Sequence, residues 1–146
     1  MANVFNRGKL QLGEQAFSGE DFRILLLRTG TAYSYDPDDN FVADVLTGGV
    51  LEISVSGYSR QVLANVTVTE DDANDRVNYA ADAPQFASLA SGQTIDAAIV
   101  FVQVTNDADS YLVSYYNLVD TPTNGGNINI LFDGQDPGDF VRILNN

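Results

Sequence analysis

The 146-residue chain contains no cysteine, no histidine and no tryptophan, and Lys9 is its single lysine. Without cysteine there is neither a disulfide framework nor thiol chemistry. With histidine missing as well, serine-histidine and cysteine-histidine nucleophilic pairs and ordinary zinc sites are excluded. No S-x-x-K motif precedes Lys9, so a serine-lysine device has no support either. Positive charge is scarce: seven bases face twenty acids, and the formal net charge of -13 repels phosphate backbones and anionic membranes. Nucleic acid and membranes are therefore not expected partners.

Long apolar runs are also missing. "ILLL" at 24–27 and "AAIVFV" at 97–102 fall far short of the roughly 20 residues a membrane helix needs. The start, "MANVFNRGKLQLGEQAF", places no continuous apolar segment behind its two basic residues, so no secretory signal is visible. The protein is expected to stay where it is made, and "NVT" at 65–67 reads as a chance match to the glycosylation acceptor. Neither G-x-G-x-x-G nor G-x-x-x-x-G-K occurs, which removes the phosphate-cradling loops, and no cofactor is expected.

What the chain does have is alternation. "VLEISVSGY" at 50–58 and "QVLANVTVTE" at 61–70 show the period-two pattern of half-exposed antiparallel strands. In the second, Val62, Ala64, Val66 and Val68 point one way and Leu63, Asn65, Thr67 and Thr69 the other. "FRILLLR" at 22–28 and "IDAAIVFVQV" at 95–104 are apolar on both alternating faces and predict central strands. "YLVSYYNLV" at 111–119 and "NINILFD" at 127–133 continue from there, joined by turn-rich connectors, and predict an antiparallel meander over 95–133 with "TNGGN" as a hairpin turn. Shorter strands are expected at 76–81 and 140–144. Helical signals are confined to residues 3–14 and to "DDNFVADVL", where Phe41, Val42, Val45 and Leu46 have helical spacing behind Asp38 as a cap. The expected fold is a mainly-β single domain over 1–146, a compact antiparallel β-sandwich or barrel-like domain of about eight strands with one or two short helices.

Two acidic features invite a metal reading. In "YSYDPDDNF" at 33–41, Asp36, Asp38 and Asn40 stand at the first, third and fifth positions of a calcium loop. The sixth position needs glycine and holds Phe41, and the twelfth needs glutamate and holds Thr47, so the template fails and no metal is expected. "TEDDAND" at 69–75 reads as a solvated loop. A glycosidase would require paired carboxylates, for which Glu52 and Asp96 are the only acids within or beside convincing strand patterns, each without an identifiable partner. Tyr115 and Tyr116 suggest a sugar platform, yet consecutive strand residues face opposite sides and cannot form one.

Three stretches, "NRGK" near the start, "DFRILLLRTGTAYSYDPDDNFVADV" in the first third and "GYSRQVLANVTVTEDDANDR" in the middle, resemble a family of small structural proteins of tailed bacteriophages. The likeness holds in order and approximate spacing over most of the chain, while the C-terminal third matches only as a strand pattern around "NGG". The resemblance implies a virion protein without a catalytic site: a capsid decoration, or cement, protein on the outer face of the shell. Its implied partners are the major capsid protein and copies of itself, with a trimer favoured. Made in the host cytoplasm, it would stabilise the mature lattice by binding only that state. Val4, Phe5, Arg7, Lys9 and Leu10 are the candidate contacts to capsid or subunit; docking and packing under the chain's own sheet are both open for this segment. The competing reading is a receptor- or carbohydrate-binding module of a phage tail or fibre, with Tyr33, Tyr35, Phe41 and Tyr58 as its aromatic candidates and core packing as their alternative role.

Overall fold

The structure is a computed structural model that describes residues 5, 7, 13, 14, 17–30, 32–133 and 137–144. The fold is mainly β, with antiparallel pairing throughout the described sheets, as the alternation predicts. The strands are β1 (Phe22–Arg28), β2 (Gln61–Val62), β3 (Thr67–Asp71), β4 (Arg76–Ala81), β5 (Gln85–Phe86), β6 (Thr94–Val102), β7 (Tyr111–Pro122), β8 (Ile128–Asn129) and β9 (Gly138–Leu144). One short helix, α1 (Val42–Thr47), and a 3-10 turn at Asp72–Asn74 complete the described elements. No helix among the described residues is long and apolar enough to cross a membrane. The chain forms two compact units, each built from separated segments.

The larger unit, residues 21–62 and 84–130, contains a sheet in the order β2-β1-β6-β7. β1 and β6 lie in its middle, and Ile24, Leu25, Leu26, Leu27 and the run Ala97–Val102 are buried on both faces. On one face Leu25, Leu27, Ala97, Ile99 and Phe101 pack with Val42, Val45 and Val50, and Tyr33, Leu46, Leu112 and Tyr115 close the margin of that cluster. Each fully buried aliphatic side chain of this kind contributes about 1.5–3 kcal/mol. The spacing Val42, Val45, Leu46 is why so short a helix holds: it turns one apolar stripe onto the sheet. Its cap is not Asp38. Asp44, inside the first turn, accepts from the backbone N–H of Phe41 (2.9 Å) and Asn40 (3.0 Å), and so satisfies donors that the helix leaves open.

Several expected strands are shorter than their patterns. Residues 50–58 contribute only a bridge, Leu27 to Glu52, flanked by hydrogen bonds from Arg28 N to Leu51 O and from Ile53 N to Leu26 O. "QVLANVTVTE" is two strands, β2 and β3, interrupted where Asn65 takes a left-handed φ of 51°. The break changes the phase, so that Leu63 is buried and Val62 exposed. The meander holds for β6 and β7 only: β8 pairs with β5, not with β7. "TNGGN" is accordingly no hairpin turn; Gly125 and Gly126 exchange backbone bonds with Leu89, and Gly125 supplies a φ of 89°. Strand alternation marks which side chains can be buried together, but the pairing partner is a tertiary choice.

The other unit, residues 1–20, 63–83 and 131–146, has a sheet in the order β3-β4-β9. Val77, Tyr79 and Ala81 alternate to its buried face. Tyr79 meets Phe140 at 6.4 Å between ring centroids, and Phe140 meets Phe132 at 5.9 Å. Arg7, Gly13, Glu14 and Phe17 are helical, in keeping with the N-terminal pattern. Phe17 stands edge-on to Tyr79 at 5.0 Å, and Gly13 lies so close to the same ring that a Cβ there would overlap the Tyr79 hydroxyl. This part of the N-terminal segment therefore packs on its own unit. Of the candidate contact residues, Phe5 is 87% exposed and Arg7 reaches Glu70 at 3.6 Å, while Val4, Lys9 and Leu10 lie outside the described residues.

Candidate functional site

Two carboxylate clusters belong to the larger unit, and they differ in what holds them. The first surrounds Arg60, one residue before β2. Its guanidinium donates to Glu52 Oε1 (2.9 Å) and Oε2 (2.7 Å), and to Asp107 Oδ1 (2.5 Å) and Oδ2 (3.0 Å), while lying 5.3 Å from the centre of the Phe101 ring. The planar fork of arginine matches two carboxylates at once, which a lysine could not do. Tyr58 donates its hydroxyl to Glu52 Oε1 (2.6 Å) and accepts the Leu26 N–H (3.0 Å). That hydroxyl stands in for a strand partner, since it satisfies β1 between its pairing with β2 and the bridge at Glu52.

The electrostatics follow from the contacts. Hydrogen bonding to Glu52 raises the Arg60 pKa, so its charge is permanent. Hydrogen bonding from Arg60 holds the Asp107 carboxyl below the usual carboxylate range. Burial, reinforced by the negative charge of Glu52, pushes the Tyr58 phenol far up. Glu52, a glycosidase candidate from its strand position, has both oxygens engaged by Arg60 and serves as a structural anchor. The other candidate, Asp96, lies at the bulge between Ile95 and Ala97; burial raises its pKa, and the charge of Asp120 adds to the rise.

The second cluster lines a cleft of about 210 Å³ on the margin of the buried face. Its walls include Tyr33, Tyr35 and Tyr115, with Asp36, Asp39 and Ser114. Tyr33 meets Tyr115 edge to face at 5.4 Å and 66°, whereas Tyr35 lies nearly parallel to Tyr115 at 5.9 Å and 24°. Tyr35 is 62% exposed. Tyr33 donates to Asp39 Oδ2 (2.7 Å) and accepts the Asp36 N–H (3.3 Å), and burial together with the Asp39 bond pushes its pKa up to about 12. It therefore remains a phenol donor at any physiological pH. The Tyr115 phenol is raised too, by burial and then by the charge of Asp96. Ser114 Oγ is buried without a hydrogen-bond partner among the described residues.

The loop that offered a calcium pattern builds this cleft instead. Asp36 Oδ1 accepts the Asp38 N–H (2.9 Å), and Asn40 Nδ2 donates to Asp38 O (2.8 Å), so the spacing of Asp36, Asp38 and Asn40 belongs to a turn. Among the described residues no three metal-ligating side chains are gathered at one point. Of the four aromatic candidates, Tyr33 and Tyr35 share the cleft. Phe41 instead precedes α1, bridges to Tyr111 and is 39% exposed, and Tyr58 belongs to the Arg60 network. Tyr115, distant in sequence, joins the cleft because β7 follows β6 as its antiparallel neighbour; the local signal was only that Tyr115 and Tyr116 face opposite ways. Comparison with protein-family models, with curated proteins and with solved structures finds no match to this chain.

Proposed function

We propose that the protein is a structural component of a tailed-phage virion, a decoration protein that binds the outer face of the capsid through the major capsid protein and stabilises the mature shell. The observation that carries this reading is the ordered resemblance of "NRGK", "DFRILLLRTGTAYSYDPDDNFVADV" and "GYSRQVLANVTVTEDDANDR" to the phage family. A mainly-β chain whose Glu52 is held by arginine, rather than poised for chemistry, is compatible with a role by contact. The proposed mechanism is mass action: a partner that binds only the mature lattice shifts the equilibrium toward it. A homotrimer is the proposed assembly.

Quantitative mass spectrometry of purified virions is the test. Copy numbers comparable to the major capsid protein are expected, and cryo-electron microscopy of the particle would place the protein on the shell. A handful of copies per virion would remove the cement role. That outcome would favour a second reading, a receptor- or carbohydrate-binding tail module, which draws its support from Tyr33 and Tyr35 sharing one cleft.

A further inference from the structure

We infer that the Tyr33–Tyr35–Tyr115 cleft is a receptor for a single arginine side chain presented by a protein partner. The inference does not depend on where the protein is carried.

Charge supplies the first argument. Of the described arginines, Arg7, Arg23, Arg60, Arg76 and Arg142 are each paired with acids elsewhere, and Arg28, whose Nε is buried without a hydrogen-bond partner among the described residues, does not line the cleft. Among the described residues no basic side chain lines the cleft, although Asp36 and Asp39 do. In a chain with a formal charge of -13, these carboxylates sit in a field that concentrates cations, and no intramolecular cation meets them among the described residues. The Arg60 network shows what the same chemistry looks like when filled: one guanidinium forked between two carboxylates with an aromatic ring beside it. The cleft offers the carboxylates and the rings without the guanidinium.

Shape supplies the second. The three rings stand at different inclinations, 66° for one pair and 24° for the other, and so form walls rather than one flat platform. A pyranose needs a flat open face for stacking; a planar cation is attracted by walls at several angles, because each ring presents negative potential from its face. A cleft of about 210 Å³ suits the end of one side chain better than a drug-sized ligand, for which pockets of roughly 300–1,000 Å³ are usual. Arginine is favoured over lysine because its planar group both stacks and forks.

The test is NMR titration of the intact protein, with tyrosine rings selectively labelled. The probe is acetyl-Gly-Arg-Gly-amide, and the controls are acetyl-Gly-Gln-Gly-amide and methyl glucoside. Saturable shifts of the Tyr35 and Tyr115 ring signals with the arginine peptide alone are expected, weakening as salt rises. Tyr35→Ala and Asp36→Asn should each weaken that binding by about tenfold. Both side chains are exposed, so unchanged signals from the Tyr58 ring report that the variants remain folded. Equal shifts from the glutamine peptide, shifts from the glucoside alone, no saturable shift, or full binding by Asp36→Asn would each overturn the inference.

Discussion

The Arg60 network and the tyrosine cleft lie within one unit and both set two carboxylates beside aromatic rings, but only the first encloses a guanidinium. Around Arg60, two carboxylates, a phenol and an aromatic ring enclose a guanidinium supplied by the chain. In the cleft, two carboxylates and three phenols line a space into which no base is sent from among the described residues. The difference teaches how to sort acids in a very acidic protein. Those neutralised from within hold the fold, whereas Asp36 and Asp39, beside the aromatic walls, accept hydrogen bonds from Asp38 N–H and the Tyr33 hydroxyl and meet no cation among the described residues.

Removing the guanidinium tests the comparison most severely. Arg60→Ala should cost about 3 kcal/mol in chemical denaturation, the lower end for breaking a buried pair, because Glu52 at 21% and Asp107 at 38% side-chain exposure keep some contact with water. A loss below about 0.5 kcal/mol would demote the network to an ordinary surface contact. Tyr58→Phe should cost about 2 kcal/mol, since it strips a donor from Glu52 and an acceptor from the Leu26 N–H. By contrast, Tyr35→Ala and Asp36→Asn should leave the denaturation midpoint within about 0.5 kcal/mol of the wild type while affecting binding.

Acid titration sharpens the same contrast. Asp107 has a lowered pKa in the folded chain, so its contribution is fully present above the ordinary aspartate value of about 4 and is lost as the pH falls through that value toward the lower one. In Arg60→Ala this part of the acid-side loss should disappear. Asp96 runs the other way: its pKa is raised, so the native state is penalised as the pH rises through the raised value. Asp96→Asn should therefore stabilise the protein slightly at neutral pH and not at pH values below the ordinary aspartate range, as thermal melts across pH would show. It is the smallest of the expected effects.

Much of the frame was legible in the residues. "FRILLLR" and "IDAAIVFVQV", apolar on both faces, became β1 and β6 at the centre of their sheet, and "RVNYAA" became β4 with Val77, Tyr79 and Ala81 inward. Those assignments held because a run apolar on both faces has no stable place at a wet surface. "QVLANVTVTE" did not hold as one strand, because Asn65 tolerates a left-handed turn that alternation alone does not reveal. The cleft was half legible: Tyr33 and Tyr35 belonged to a noticed acidic loop, whereas Tyr115 lies eighty residues further along, by its number, and carries no local signal that it would join them.

The sequence alone settled the chemistry that is ruled out, since a chain without histidine or cysteine cannot assemble their sites, and it settled the mainly-β frame, since period-two patterning has few other ways to be buried. Tertiary structure alone decided which acids are neutralised. Glu52, Arg60 and Asp107 meet only because β1 draws the first two to its side and the connection from β6 to β7 brings the third. Charge is written residue by residue, but the distance at which charges act is set by folding, and an interaction that falls off with distance and dielectric has no meaning until the fold supplies both.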